Sequence, residues 1–122
     1  MIPQSAIKLI KSFGYAWKGI VIATREQLNI KIHWLAIICV CIAGWYWHIS
    51  VQEWCWIILC FGMVLCAELF NSAIEDLVNF ISPGHHHLAG KIKDIAAGAV
   101  LVTAVAAALI AFLIFAKYLP FI

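Results

Sequence analysis

Ile95–Ala116, IAAGAVLVTAVAAALIAFLIFA, runs for 22 residues without a formal charge. As a helix this stretch is roughly 33 Å long, enough to cross a hydrocarbon core about 30 Å thick. Two further runs precede it. Ile32–Gln52 carries no charge over 21 residues, and Trp54–Ala67 continues for 14 more before Glu68 interrupts. The second of these spans a bilayer only if it continues through Glu68 towards Ile81, taking polar groups with it. The sequence therefore predicts one all-α integral membrane domain over residues 1–122, with transmembrane helices at 32–52, 53–81 and 95–117 and a loop at 82–94.

Composition agrees. Of 122 residues, 66% are hydrophobic and only 11% charged, with a mean hydropathy of +1.01. Soluble domains are about 45–50% apolar and about 25% charged, and one this small could not hide so much apolar surface from water. Eight basic and six acidic residues leave a net charge of +2, too balanced for grip on a nucleic-acid backbone. The five cysteines (39, 41, 55, 60 and 66) lie in apolar runs with no CxxC spacing, and read as small hydrophobes.

The charges set the topology. Lys8, Lys11, Lys18, Arg25 and Lys31 precede the first span, and Lys91 and Lys93 lie between the second and third. The turn between the first two spans carries only Glu53, and the C-terminal end only Lys117. Seven basic residues on one side against one on the other put the N-terminus in the cytoplasm and the C-terminus outside. Trp45, Tyr46, Trp47, Trp54 and Trp56 crowd the outer turn as an interfacial belt does. Within residues 1–31, Ile7, Ile10, Phe13, Trp17 and Ile20 recur at helical steps with lysines between, so an amphipathic helix is expected on the inner membrane surface. The scattered charges there exclude a signal peptide.

The second span holds the chemistry. Glu68, Asn71, Glu75 and Asn79 follow steps of three, four and four, which puts them within an arc of about 80° on one helix face. A carboxylate at membrane depth is costly unless paired, hydrated or bound to a cation. Ser82-Pro83-Gly84 ends that helix, and Lys93-Asp94 falls where the third begins, where an aspartate also suits the helix dipole. Two other motifs fail. Gly84 to Gly90-Lys91 has five intervening residues where a P-loop has four, and Ile92 stands in place of Ser/Thr. His85–His87 are consecutive and cannot converge on one ion without a contorted backbone. Carboxylates, an amide and a lysine at a membrane boundary suit metal-assisted phosphoryl transfer, in which carboxylates hold Mg²⁺, lysine neutralises phosphate oxygens and a carboxylate takes a proton from an attacking hydroxyl. They suit an ion or proton pathway through a non-catalytic membrane oligomer as well.

At these residues the chain resembles the prokaryotic diacylglycerol kinase family, which includes undecaprenol kinases. The pattern Glu-x-x-Asn-[Ser/Thr]-Ala-x-Glu is met by Glu68, Asn71, Ser72, Ala73 and Glu75. The pattern Lys-Asp-x-Ala-[Ala/Ser]-[Gly/Ala]-Ala-Val is met by Lys93, Asp94, Ala96, Ala97, Gly98, Ala99 and Val100. Phe13–Gly19 and Asn29–His33 fit the family's N-terminal part. The resemblance implies a lipid kinase of the bacterial inner membrane, a homotrimer with sites between subunits, using ATP and Mg²⁺. It implies Glu68 as the general base that activates the lipid's primary hydroxyl. Glu75 would hold Mg²⁺ on the ATP phosphates with help from Asn71, Lys93 would meet phosphate, and Asp94 the nucleotide. Diacylglycerol is the first expected acceptor and undecaprenol the alternative. The family's usual metal-binding glutamate is here Gln27, with Glu26 adjacent as its substitute. The aspartate usual at position 79 is here Asn79, with Asp76 nearby.

Overall fold

The structure, a computed structural model, describes residues 1–120, which form four helices and no strand. They are α1 (Gln4–Glu26), α2 (Leu28–Tyr46), α3 (Val51–Ile81) and α4 (His87–Ala116). The last three are long and apolar enough to cross a membrane. α3 is the centre of the bundle: 33% of its most apolar window is buried, against 11% for α2 and for α4. It packs along α4 and more lightly on α2, while α1 touches both α2 and α3 and buries no residue fully. The exposed sides of α2, α3 and α4 carry Leu35, Ile42, Leu59, Leu101, Leu109 and Leu113, the surface expected where lipid is the solvent.

Helix boundaries differ from the apolar runs because charge marks the edge of the hydrocarbon, not the end of a helix. Gln27 is extended (φ −102°, ψ 118°) and breaks α1 from α2, yet α2 then starts at Leu28 and takes Lys31 within its first turn. Trp34 Nε1 donates to Thr24 Oγ1 at 3.2 Å, which ties the two helices across that corner. α4 starts at His87, well before the expected Ile95, so the connection from α3 is only 82–86. His86 caps it by accepting from Leu88 N–H at Nδ1, 3.1 Å, a structural use for one member of the histidine triplet. Asp94 consequently lies two turns inside α4, too far along for the helix dipole to explain it.

The α2–α3 turn is built on His48, whose φ of 52° is the one positive value at a non-glycine among the described residues. Ile49 N–H returns to Gly44 O at 3.1 Å, closing a Schellman-type end in which His48 holds the position glycine usually takes. Gly44 itself is buried and must be small. A Cβ there would stand 2.8 Å from Trp54 Cη2 and 2.9 Å from Cζ2. An alanine gains up to about 1 kcal/mol of helix propensity, but the rigid indole has nowhere cheap to go, and overpacking costs about 1–3 kcal/mol. Gly44→Ala is expected to lower the thermal midpoint in micelles. An unchanged or raised midpoint would show that Trp54 moves freely.

At this end α3 begins with a capping box. Glu53 N–H donates to Ser50 Oγ at 3.1 Å, and Ser50 N–H donates to Glu53 Oε2 at 2.8 Å. The same carboxylate accepts from Tyr118 O–H at 2.8 Å and pairs with Lys117, so the start of α3 is stapled to the end of α4. Ile49, Ile57 and Ile114 form the apolar core directly beneath, with Trp47, Trp54 and Phe115 around it. Hydrogen bonding to Glu53 pushes both Lys117 and Tyr118 up from their ordinary values. A group raised by folding stabilises fully below its unfolded value, and its contribution disappears as pH rises through the folded one. Glu53→Gln should therefore melt earlier than the parent at pH 8, and the gap should close in strongly alkaline solution. A gap that widened there would contradict the assignment.

Candidate functional site

The apolar core sits at the turn end of α3 beside buried Glu53, and the other buried polar residues, Glu68, Asn71 and Ser72, sit further along towards its other end. Glu68, Asn71 and Ser72 are 2%, 7% and 6% exposed, consecutive turns of the helix whose upper half buries Ile57, Cys60 and Val64. Ser72 Oγ donates to Glu68 O at 2.9 Å, so the serine is satisfied within its own helix. Asn71 Nδ2 donates to Glu75 Oε1 at 3.4 Å, which joins the amide and the second carboxylate on the expected face. Asn71 Oδ1 is buried with no hydrogen-bond partner. Leaving a buried acceptor unpaired costs about 1–3 kcal/mol, so this oxygen is a ready ligand for a hard cation beside a carboxylate.

Glu68 is held from α2. His33 Nε2 lies 3.1 Å from Glu68 Oε1. Among the described residues, no lysine or arginine lies within ion-pair distance of Glu68, Glu75 or Asp76. His33 also forms one end of an intramembrane groove of about 200 Å³, whose walls include Ile37, Val40, Val64, Ala104 and Ala108 from α2, α3 and α4. Nearly all of that lining is apolar, and His33 connects it to the buried Glu68 carboxylate.

The remaining residues distribute around this pair. Lys93 Nζ donates to Asn79 Oδ1 at 2.5 Å, bridging α4 to the last turn of α3. Asp94 instead lines an open groove at the head of α4 with Lys91 and His85–His87. Glu26 lies with Gln27 and Asp76 along a third groove, of about 500 Å³, between α1 and α3. Glu75 is not part of that lining. Among the described residues no three His, Cys, Asp or Glu side chains form a cluster able to hold a metal alone. Mg²⁺ does not need one. It keeps several waters and is held by one or two carboxylates together with substrate phosphates, a demand that Glu75 and the unpaired Asn71 oxygen fit.

Fold and site together define an all-helical protein with three helices able to span a membrane and a buried carboxylate bonded to the histidine that lines an apolar groove. Comparison with known sequences makes that class specific. The prokaryotic diacylglycerol kinase family matches residues 14–115. The undecaprenol kinase of Bacillus subtilis (strain 168) is 42% identical over 108 residues, 88% of each chain. A diacylglycerol kinase of Synechocystis sp. is 36% identical over 88% of this chain and 62% of its own length. The diacylglycerol kinase of Escherichia coli (strain K12) is 28% identical over 82% of both chains. The chain belongs to the prokaryotic diacylglycerol kinase family and is a membrane-bound lipid kinase, with ATP as its co-substrate.

Proposed function

We propose that Glu68 is the general base of this kinase. Its carboxylate takes the proton of the lipid's primary hydroxyl while that oxygen attacks the γ-phosphorus of ATP and ADP departs with the bridging oxygen. The observation that carries this reading is a carboxylate 2% exposed, contacting the histidine that ends an apolar groove. A lipid chain lying in that groove brings its head group to Glu68. Burial inside an apolar span also discourages water from competing for the phosphate.

Glu75 and Asn71 are assigned to Mg²⁺, with Glu26, on the α1 side of the groove that Asp76 shares, as a further candidate. These residues would hold Mg²⁺, which would supply charge withdrawal from the phosphates. Lys93 is assigned to a phosphate oxygen. Its partner Asn79 is a neutral amide, so no carboxylate there competes with the nucleotide for the ammonium. Asp94 is assigned to the nucleotide through the groove at the head of α4. We place the Glu68 end on the cytoplasmic side of a bacterial inner membrane, supported by the seven basic residues at that end. The homotrimer implied by the family resemblance would cover part of the exposed apolar surface.

For the acceptor, undecaprenol is favoured over diacylglycerol. The 42%-identical relative bears that name and is matched over 88% of both lengths. Diacylglycerol remains the second reading because the relatives at 36% and 28% identity are named for it. Purified protein offered Mg·ATP with both lipids at equal mole fraction in one micelle tests the choice. Undecaprenyl phosphate should dominate the product, and phosphatidic acid as the main product reverses the assignment.

A further inference from the structure

We infer that His33 is the positioning residue for Glu68, fixing which carboxylate oxygen meets the lipid. The inference deepens the reading of Glu68 as base and rests on it. The carboxylate is nearly sealed from solvent, and His33 is its one side-chain hydrogen-bond partner among the described residues. A carboxylate acting as the base has no proton to offer, so in that role it accepts from the imidazole, with Nε2–H directed to Oε1 across 3.1 Å. That bond engages Oε1. Oε2 accepts no hydrogen bond among the described residues, yet it is not among the fully buried, unpartnered atoms. It is therefore the oxygen left for a hydroxyl proton.

The donor is itself held firmly. His33 lies one turn beyond Ile30, which is 1% exposed and anchors this part of α2. Trp34, the next residue, is tied to Thr24. Since His33 also ends the apolar groove, one side chain marks the boundary of the lipid chain and orients the base that meets its head. No proton needs to leave through the imidazole. Its work is done by keeping Nε2–H on Oε1 while Oε2 gains the hydroxyl proton.

The test separates orientation from lipid binding. His33→Leu removes the donor and keeps bulk, while His33→Gln presents an amide N–H at comparable reach. Misplaced catalytic groups cost up to about a hundredfold. The leucine variant should lose about ten- to a hundredfold in kcat, with KM for lipid and for ATP changed less than threefold. Glutamine should restore kcat to within about threefold of the parent. In a Glu68→Gln background, His33→Leu should have no further effect on the residual rate. An unchanged kcat in His33→Leu, a rise in lipid KM as the main effect, or a full additional loss in the double variant would overturn the inference. If the leucine variant does not fold, the same reading is taken on His33→Gln: parent-like kcat supports the donor role, and a tenfold loss in a folded protein refutes it. Glu68→Gln retaining activity would refute the base itself, whereas an inactive Glu68→Gln beside a fully active His33→Leu would refute only the positioning role.

Discussion

Glu68→Gln is expected to lower phosphate transfer to lipid by about 10²- to 10⁴-fold, the span ordinarily contributed by a positioned general base, and to leave the protein folded. The two outcomes separate because glutamine is nearly isosteric. Its carbonyl oxygen can still accept from His33 Nε2–H, so the tie between α2 and α3 survives. What disappears is the negative charge and the ability to take a proton. Removing a charge from a residue 2% exposed also removes its desolvation cost, so the thermal midpoint should hold or rise. Loss of activity together with an unchanged midpoint identifies chemistry, not folding. Activity retained to within tenfold would remove Glu68 from the role.

The second large effect falls on Glu75. Glu75→Gln should raise the Mg²⁺ concentration for half-maximal activity at least tenfold and lower kcat at moderate Mg²⁺. Metal ligands and their immediate supports commonly carry factors of about 10–100 in affinity or activity. The proposed role of Glu75 draws on Asn71. Its amide N–H is directed to Glu75 and orients that carboxylate, while its own Oδ1 is buried without a partner. Mg²⁺ with its reluctance to shed water needs few protein ligands but needs them fixed. The measurement is a Mg²⁺ titration of initial rate at saturating ATP and lipid. A curve superimposable on the parent's would assign the cation elsewhere, with Glu26 the next residue to test.

Much of the architecture was legible in the chain because a bilayer simplifies the code. Charge-free runs near 20 residues become spans, and the Glu68–Asn71–Glu75 spacing becomes one helix face, as the Asn71–Glu75 hydrogen bond bears out. Helix ends were less legible. Lys31, Lys91 and Lys93 sit inside helices, since long basic side chains can carry their charge to the membrane surface while their backbone stays helical. Partnerships between helices were not legible at all. Asn29–His33 matched the family pattern, but no spacing rule links His33 to Glu68, 35 residues away. The Ser50–Glu53 capping box has a second use, tying Glu53 to Lys117 and Tyr118, that depends on α3 and α4 running antiparallel. Asn79 looked like a loss relative to the family's aspartate, whereas in the fold it is the neutral partner of Lys93.

The most direct measurement follows the γ-phosphate itself. Purified protein in mixed micelles is given γ-labelled Mg·ATP and a lipid alcohol, and label is partitioned between the lipid extract and the aqueous phase. Label is expected on the lipid, at a rate that depends on lipid mole fraction and falls about 10²- to 10⁴-fold in Glu68→Gln. Label released only as inorganic phosphate, or lipid labelling undiminished in the Glu68 variant, would contradict it.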